Sequence, residues 1–210
     1  LVVQPGVEFG STEVFDYDRG RAKELTEHLP EKLELVYEAH STDYQPPRCL
    51  RELVEDHFAI LKVGPWLTFA MREAVYALSS LEREWMGWRR GARLSQVPEA
   101  LEEAMLKDPA HWKDYYAGDE GETRLARKFS YSDRSRYYWP VPSVRAELEV
   151  LVRNLEGCPP PLNILSQFLP AQCAAIRAGS LENTPESLIR GRVREVLRVY
   201  AEACGAHPRG

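Results

Sequence analysis

The sequence predicts an α/β fold in which short parallel strands alternate with helices, followed by a region that is entirely helical. Three apolar runs of strand length lie between Val2 and Val63, and a helical pattern follows each of them. Beyond Gly91, apolar residues recur only at helical spacing. Strands that alternate with helices are typical of parallel β/α units with right-handed crossovers. Two architectures fit this pattern, an open doubly wound sheet and a (β/α)8 barrel.

The first region contains three predicted strands, each apolar and each ending in polar or turn residues. They span Val2–Phe9 with a Pro-Gly kink, Leu33–Ala39 and Phe58–Val63. The helices that follow them carry apolar residues three or four positions apart, which is the spacing of one helix face. They span Arg19–His28, Leu50–His57 and Leu67–Trp85.

The second region shows helical periodicity throughout. Its predicted helices are Leu94–Lys107, Ala110–Tyr116, Val144–Leu155, Pro170–Ala178 and Pro185–Cys204. Among them lies Phe129–Pro140, a stretch dense in aromatic residues and arginine. It fits a substrate or partner surface, or an aromatic plug in which Asp133 pairs with an arginine. We place the boundary between the two regions near residue 90, so that 1–90 holds the β/α units and 91–210 a helical extension packed on them.

Composition narrows the class of protein. The chain has 210 residues, of which 44% are hydrophobic and 28% charged, as in an ordinary globular protein. A net charge of −5 does not favour nucleic-acid binding, and no run approaches the ~20 apolar residues of a membrane span. The four cysteines form no CxxC pair. We expect a cytoplasmic protein with reduced thiols that binds neither nucleic acid nor membrane.

The number of strands bears on the architecture. Three strands cannot close a barrel, which needs eight. The chain also begins at Leu1, beside the first strand and without methionine. We therefore expect the remaining strands to lie upstream of Leu1.

Two candidate metal ligands lie at the ends of predicted strands. In both architectures the functional residues lie at the carboxyl ends of the strands. Glu8 ends the first predicted strand and His40 directly follows the second. A carboxylate and an imidazole from neighbouring strand ends can converge on one divalent metal or form an acid–base pair. The alternative is that Glu8 caps its turn and His40 bonds its own loop.

A second set of residues at the strand ends suits phosphate. Hydroxyls and backbone N–H groups at a strand-to-helix turn can bind a phosphate or a sugar hydroxyl, and a lysine beside them adds a cation. The candidates are Ser41, Thr42, Asp43, Lys62, Gly64 and Thr68. Ordinary turn and cap chemistry is the alternative for the first three, and a Schiff-base role is an alternative for Lys62. No GxxxxGK[ST] loop or protein-kinase motif occurs in the chain.

Five segments resemble one known family, the GatZ/KbaZ family. They are Val2–Phe9, Tyr37–Gln45, Asp56–Pro65, Ser132–Pro140 and Leu165–Pro170. Members are accessory, non-catalytic subunits of class II D-tagatose-1,6-bisphosphate aldolase, and the same family is also labelled tagatose-6-phosphate kinase. Family chains are about twice this length, so the resemblance implies the C-terminal half of such a chain, with about three β/α units of a (β/α)8 barrel and the helical extension.

The resemblance also has consequences for the site. In the related class II aldolases, histidines at strand ends hold zinc; His40 falls at one such position, and Glu8 falls near another. Ser41, Thr42 and Asp43 replace the glycine- and serine-rich phosphate loop. The third strand keeps Lys62 but has Val63-Gly64-Pro65 where the aldolases carry an asparagine and an aspartate. These departures agree with an accessory role, with zinc as the one cofactor implied.

The expected function follows from the resemblance. We expect a subunit that supports the activity and stability of a catalytic class II aldolase subunit in galactitol or amino-sugar catabolism. Its expected partners are that subunit and a sugar phosphate, and it is expected to form an oligomer. The alternatives are a tagatose-6-phosphate kinase and an independent metal-dependent aldolase or epimerase that acts on a sugar phosphate.

Overall fold

The structure, a computed structural model, describes residues 1–27 and 35–206. The strands in this part are β1 (Val2–Val3), β2 (Glu8–Phe9), β3 (Val14–Phe15), β4 (Tyr37–Ala39) and β5 (Phe58–Leu61). The helices are α1 (Arg19–Glu27), α2 (Pro47–Glu55), α3 (Pro65–Met86), α4 (Val97–Lys107), α5 (Glu120–Phe129), α6 (Pro142–Gly157), α7 (Leu162–Phe168), α8 (Pro170–Arg177) and α9 (Pro185–Ala203). The fold is mixed α/β and mostly helical.

A small parallel sheet has the order β1-β4-β5. Val2 pairs with Glu38 across β1 and β4, and Ala39 pairs with Leu61 across β4 and β5. The strands occur in this order along the chain with helices between them, which confirms the predicted parallel β/α units. In β4, Tyr37 and Ala39 are buried while Glu38 is half-buried. Successive side chains therefore point to opposite faces, one packed and one open.

The prediction of one continuous strand over Val2–Phe9 is wrong. The strand β1 ends at Val3, and Glu8 starts a separate antiparallel hairpin of β2 and β3. Pro5 has no backbone N–H to donate to the sheet. Gly6 has φ +88°, a left-handed conformation that favours glycine and turns the chain away from the strand direction.

The predicted helices of the second region mostly match the structure. Proline at the first turn starts α4, α6 and α8, where its missing N–H costs nothing. The predicted helix Ala110–Tyr116 is wrong, because the regular part is a single 3-10 turn, Pro109–His111, capped by the Asp108 side chain. No helix is predicted over the short α7, because three consecutive prolines, Pro159–Pro161, precede it and interrupt the helical pattern.

Two predicted boundaries fall outside the part of the chain that the structure describes. They are the end of the first helix at His28 and the start of the second strand at Leu33.

In the part of the chain that is described, no helix combines the length and apolar character needed to cross a bilayer. The four cysteines are free thiols.

The chain divides into two compact units. The strand unit contains residues 1–67, 130–132 and, up to 206, the last part of α9. Its buried core includes Tyr37, Leu50, Leu53 and Phe58. The helical unit contains Thr68–Phe129 and Asp133–Arg194, with a leucine-rich core that joins α3, α6, α7, α8 and α9. The division into β/α units over 1–90 and an extension over 91–210 stays a prediction.

Asp56 lies just before β5 and ties together parts of the strand unit. Arg19 donates to both of its carboxylate oxygens, at 3.0 and 2.9 Å, and the Tyr17 hydroxyl donates at 2.9 Å. Burial raises the pKa of Asp56, but the hydrogen bonds from Arg19 and Tyr17 outweigh it and hold the pKa below its ordinary value. This cluster lies at the end of the sheet opposite the predicted site.

Candidate functional site

Glu38 and His40 form a pair at the carboxyl end of β4. His40 Nε2 lies 2.9 Å from Glu38 Oε1, and both side chains are about one third exposed, 35% and 28%. Because Tyr37 and Ala39 point into the packed face, Glu38 and His40 share the open face of the sheet. With Nε2 engaged by the carboxylate, the ring presents Nδ1 to a ligand.

Lys62 extends the same face from the next strand. Its backbone N–H donates to the carbonyl oxygen of Ala39 at 2.9 Å, which continues the parallel ladder one residue past Leu61. Ile60 is the register partner of Glu38, so alternation puts Ile60 and Lys62 on the open face with Glu38 and His40. Lys62 is exposed. A cation therefore lies beside an imidazole at neighbouring strand ends.

Glu8 lies on the hairpin of β2 and β3 and not at the end of β1. Gln4, the residue after β1, donates through Nε2 to Glu8 Oε2 at 3.1 Å and to the Val7 carbonyl oxygen. The other carboxylate oxygen of Glu8 accepts the N–H of Phe9 at 3.0 Å. Gln4 thus fixes the predicted metal ligand next to the strand that pairs with β4.

The zinc prediction stays a prediction. Among residues 1–27 and 35–206, no group of three or more histidine, cysteine, aspartate or glutamate side chains could hold a metal ion. Glu8 and His40 each have a protein partner, and the described residues do not by themselves complete a zinc site, which takes three or four protein ligands.

Thr42 is buried and holds the end of β5 to the loop after β4. Its hydroxyl donates to the Lys62 carbonyl oxygen at 2.9 Å. Tyr200, from α9, donates through its hydroxyl to the Thr42 carbonyl oxygen at 2.7 Å and also contacts the Thr42 hydroxyl at 3.2 Å. Burial raises the pKa of the Tyr200 phenol well above its ordinary value, and the bond to Thr42 offsets part of this. Thr42 therefore has a structural role in the strand unit.

Asp43 caps the start of α3. Its Oδ1 accepts the backbone N–H groups of Gly64 and Trp66, both at 2.9 Å, and its side chain is buried. A helix N-terminus attracts anions because its first N–H groups have no partner within the helix. Here a carboxylate of the chain itself is already bound at that position. Ser41 and Tyr44, on either side, have φ of 56° and 63°, a strained conformation for residues with a side chain.

Aromatic rings surround this loop. The ring centroid of Tyr44 lies 5.4 Å from Phe9, 5.5 Å from Trp66 and 4.6 Å from Tyr131, and Trp66 lies 5.9 Å from Tyr200. The Tyr44 hydroxyl donates to the Tyr131 carbonyl oxygen at 2.6 Å. Such ring pairs stabilise by roughly 0.5–1.5 kcal/mol each beyond the area they bury. They hold the loop in its strained conformation.

Thr68 belongs to the helical unit and bonds within it. Its hydroxyl donates to Asp133 Oδ2 at 2.6 Å, while Asp133 Oδ1 lies 2.9 Å from Arg72 Nε and accepts the Ser135 hydroxyl. Asp133 and Arg72 are both 2% exposed. The predicted pairing of Asp133 with an arginine is confirmed. The site roles predicted for Thr68 and for the other candidates stay predictions.

Three residues near the site were not predicted. Glu38 could have been found, because it lies two positions before His40 and alternation puts both on one face. Gln4 could have been found only if the β2–β3 hairpin that contains its partner Glu8 had been predicted. Tyr200 lies 158 positions from Thr42 and carries no local signal in the sequence.

Comparison with known proteins gives the same family as the sequence motifs around these residues. The profile of the family described as D-tagatose-1,6-bisphosphate aldolase subunit GatZ/KbaZ-like matches residues 1–205. The chain belongs to the GatZ/KbaZ-like family. It is also similar to a crystal structure of a probable tagatose 6-phosphate kinase from Sinorhizobium meliloti 1021, with 47% sequence identity and a TM-score of 0.91 over 97% of this chain. The match covers 52% of that protein, so this GatZ/KbaZ-like chain spans about half its length.

Proposed function

We propose that this chain is part of an accessory subunit of class II D-tagatose-1,6-bisphosphate aldolase, which supports the activity and stability of a catalytic subunit in galactitol or amino-sugar catabolism. The observation that carries the proposal is the match to the aldolase-subunit family over residues 1–205. The loop after β4 supports it, because Asp43 already provides the anion at the start of α3. We place this function in the cytoplasm and in an oligomeric assembly.

The proposal includes the fold of the longer protein. The parallel order β1-β4-β5 and the helices between the strands support three β/α units of a (β/α)8 barrel, with 1–90 in the barrel and 91–210 as the helical extension. The relative with twice the length supports further strands elsewhere in the whole protein.

The open face at the strand ends is proposed to bind a sugar phosphate. Lys62 would provide the cation for the phosphate group, and Ser41, at the strained start of the loop, a hydroxyl. Thr42, Asp43 and Gly64 shape the loop through the bonds described above, and Thr68 enters the proposal only as a residue predicted from the sequence. Glu8 and His40 are proposed to reach a zinc ion, with further ligands outside the described residues. Zinc uptake by the full-length protein tests this, because His40→Ala should abolish it.

The accessory role is tested with purified full-length protein and the purified catalytic subunit. We expect no cleavage of tagatose 1,6-bisphosphate by the full-length protein alone, with or without zinc. Added to the catalytic subunit, it should raise the cleavage rate and the half-life of that subunit at elevated temperature. Turnover without the partner would overturn the accessory role and favour an independent metal-dependent aldolase or epimerase.

A second candidate function is phosphorylation of tagatose 6-phosphate. The observation in its favour is the name of the similar solved structure, a probable tagatose 6-phosphate kinase. The full-length protein incubated with ATP, Mg²⁺ and tagatose 6-phosphate decides between the two. Formation of ADP that depends on the sugar phosphate would establish the kinase, and its absence together with activation of the aldolase would retain the accessory role.

A further inference from the structure

The turn after α3 presents the most exposed large apolar side chain of the described residues. Trp88 is 71% exposed and lies within residues 83–93, which contain four arginines and one glutamate, Glu84. The whole chain has a net charge of −5, so this cationic segment differs from the rest of the sequence. We refer to Trp85, Trp88, Arg89 and Arg90 together as the Trp-Arg patch. It lies within the helical unit.

The patch is fixed by its own backbone. The N–H of Gly87 donates to the Arg83 carbonyl oxygen at 3.0 Å, and that of Arg89 donates to the Met86 carbonyl oxygen at 3.0 Å. A Cβ at Gly87 would clash with the Arg83 carbonyl oxygen, so glycine is required for this turn. Gly91, with φ +80°, ends it. A turn that is already ordered loses little conformational entropy when a partner binds.

The side chains of the patch are ordered by stacking. The guanidinium of Arg89 lies 5.0 Å from the Trp85 ring centroid and 5.3 Å from that of Trp88. The Trp85 ring is fixed in turn, because its indole N–H donates to the Cys158 carbonyl oxygen at 3.1 Å. Each cation–π contact contributes roughly 0.5–1 kcal/mol at an exposed site. The exposed ring of Trp88 is therefore held in place by Arg89.

The charges of the patch are not neutralised within the described chain. Arg83 pairs with Glu99 at 3.4 Å, and Arg93 with Glu147 at 2.6 Å. Within residues 1–27 and 35–206, Arg89 and Arg90 form no ion pair, and the Nε of Arg89 is buried without a hydrogen-bond partner. Glu84 is the one acidic side chain in the segment. The exposed guanidinium of Arg90 is thus available to a partner, while that of Arg89 stacks against the two tryptophan rings.

We propose that the Trp-Arg patch is the docking surface for an acidic face of the catalytic aldolase subunit. Tryptophan and arginine are the residue types that most often dominate binding energy at protein interfaces. Charge complementarity selects a partner that presents aspartate or glutamate around an apolar pocket for Trp88. Nucleic acid and anionic membrane are disfavoured by the net negative charge of the chain. The partner's identity rests on the proposed function; the location of the surface rests on the patch.

The test measures binding of the full-length protein to the immobilised catalytic subunit. Trp88→Ala should weaken binding at least tenfold, and Arg90→Glu should weaken it by a similar factor that shrinks as NaCl rises from about 0.05 to 0.5 M. Matched controls are Leu125→Ala, an apolar side chain 53% exposed on α5, and Arg145→Glu, an exposed arginine on α6. Both controls should bind like the wild type. Thermal unfolding checks that each variant is folded. If Trp88→Ala does not fold, the binding of Arg90→Glu still tests whether the Trp-Arg patch contacts the catalytic subunit.

The outcomes separate the two proposals. Wild-type protein that activates the aldolase, together with patch variants that bind it equally well, would overturn the docking surface and leave the proposed function intact. Wild-type protein that neither binds nor activates the aldolase would overturn both. Binding of the wild type to phosphatidylserine vesicles or RNA that Arg90→Glu abolishes, with aldolase binding unchanged, would assign the patch to another partner and overturn the inference.

Discussion

Two buried aspartates, one in each unit, are stabilised in different ways. Asp43 and Asp133 are each 2% exposed. Asp43 accepts backbone N–H groups at a helix start, and its partners there are neutral. Asp133 lies against the buried guanidinium of Arg72 and accepts two hydroxyls. The donors of Asp43 at the helix start are backbone N–H groups, whereas Asp133 also lies against a buried cation. The same residue type therefore caps a helix in one unit and neutralises a cation in the other.

The largest effect is expected for Asp133→Asn. Asparagine tolerates the left-handed φ of 43° at this position, so the substitution removes mainly the charge. Because the buried guanidinium of Arg72 would lose the negative charge of Asp133 beside it, we expect a loss of about 3 kcal/mol or more in the free energy of unfolding. Urea denaturation followed by circular dichroism measures it.

Two controls accompany this variant. Glu99→Gln breaks the exposed pair with Arg83 and should cost about 0–1 kcal/mol. Addition of Arg72→Met to Asp133→Asn removes the buried cation and should restore much of the stability. If Asp133→Asn alone were as mild as Glu99→Gln, the ion pair would not be what holds this part of the helical unit.

An intermediate effect is expected for Asp43→Ala. It leaves the N–H groups of Gly64 and Trp66 without their acceptor, which costs about 1–3 kcal/mol. Asp43→Asn keeps a carbonyl oxygen that can accept both bonds, and we expect it to retain most of the stability. The same denaturation experiment compares the two. Equal losses for alanine and asparagine would show that the negative charge matters at Asp43 as it does at Asp133.

The smallest effect is expected for Tyr200→Phe, which removes one hydrogen bond to the Thr42 carbonyl oxygen and should cost about 0.5–1.5 kcal/mol at neutral pH. The folded-state pKa of Tyr200 is raised above the unfolded value of about 10, so its neutral form stabilises the fold fully below that pH. As pH rises above about 10, wild-type stability should fall more steeply than that of Tyr200→Phe. Unfolding curves between about pH 8 and pH 11 measure this difference, and parallel curves would contradict it.

The sequence was informative where structure depends on local pattern. Alternating strands and helices predicted the parallel β/α units, and apolar spacing located α3, α6 and α9 within a few residues. It was less informative where a turn decides the path of the chain. The Pro5-Gly6 step looks like a kink within one strand, yet it starts a hairpin and moves Glu8 off the end of β1.

The candidate site shows the same limit. Position at the strand ends makes Ser41–Asp43 and Lys62 candidate site residues, but it could not show that the Asp43 carboxylate is used to cap α3. Nor could it show that the Thr42 hydroxyl bonds to the Lys62 carbonyl oxygen. Such bonds join residues about 20 positions apart in different loops, and no periodic pattern encodes them. The sequence predicts that Asp133 pairs with an arginine, but it does not identify that arginine as Arg72.

The bonds of Tyr200 to Thr42 have a consequence for the order of folding. They join residues 158 positions apart, so the loop around β4 acquires them only after the chain has been synthesised as far as Tyr200. The helical unit consists of Thr68–Phe129 and Asp133–Arg194, so all of its residues have been synthesised before Tyr200 leaves the ribosome. Because domains generally fold as their residues emerge, the strand unit reaches its final form last, and α9 closes it.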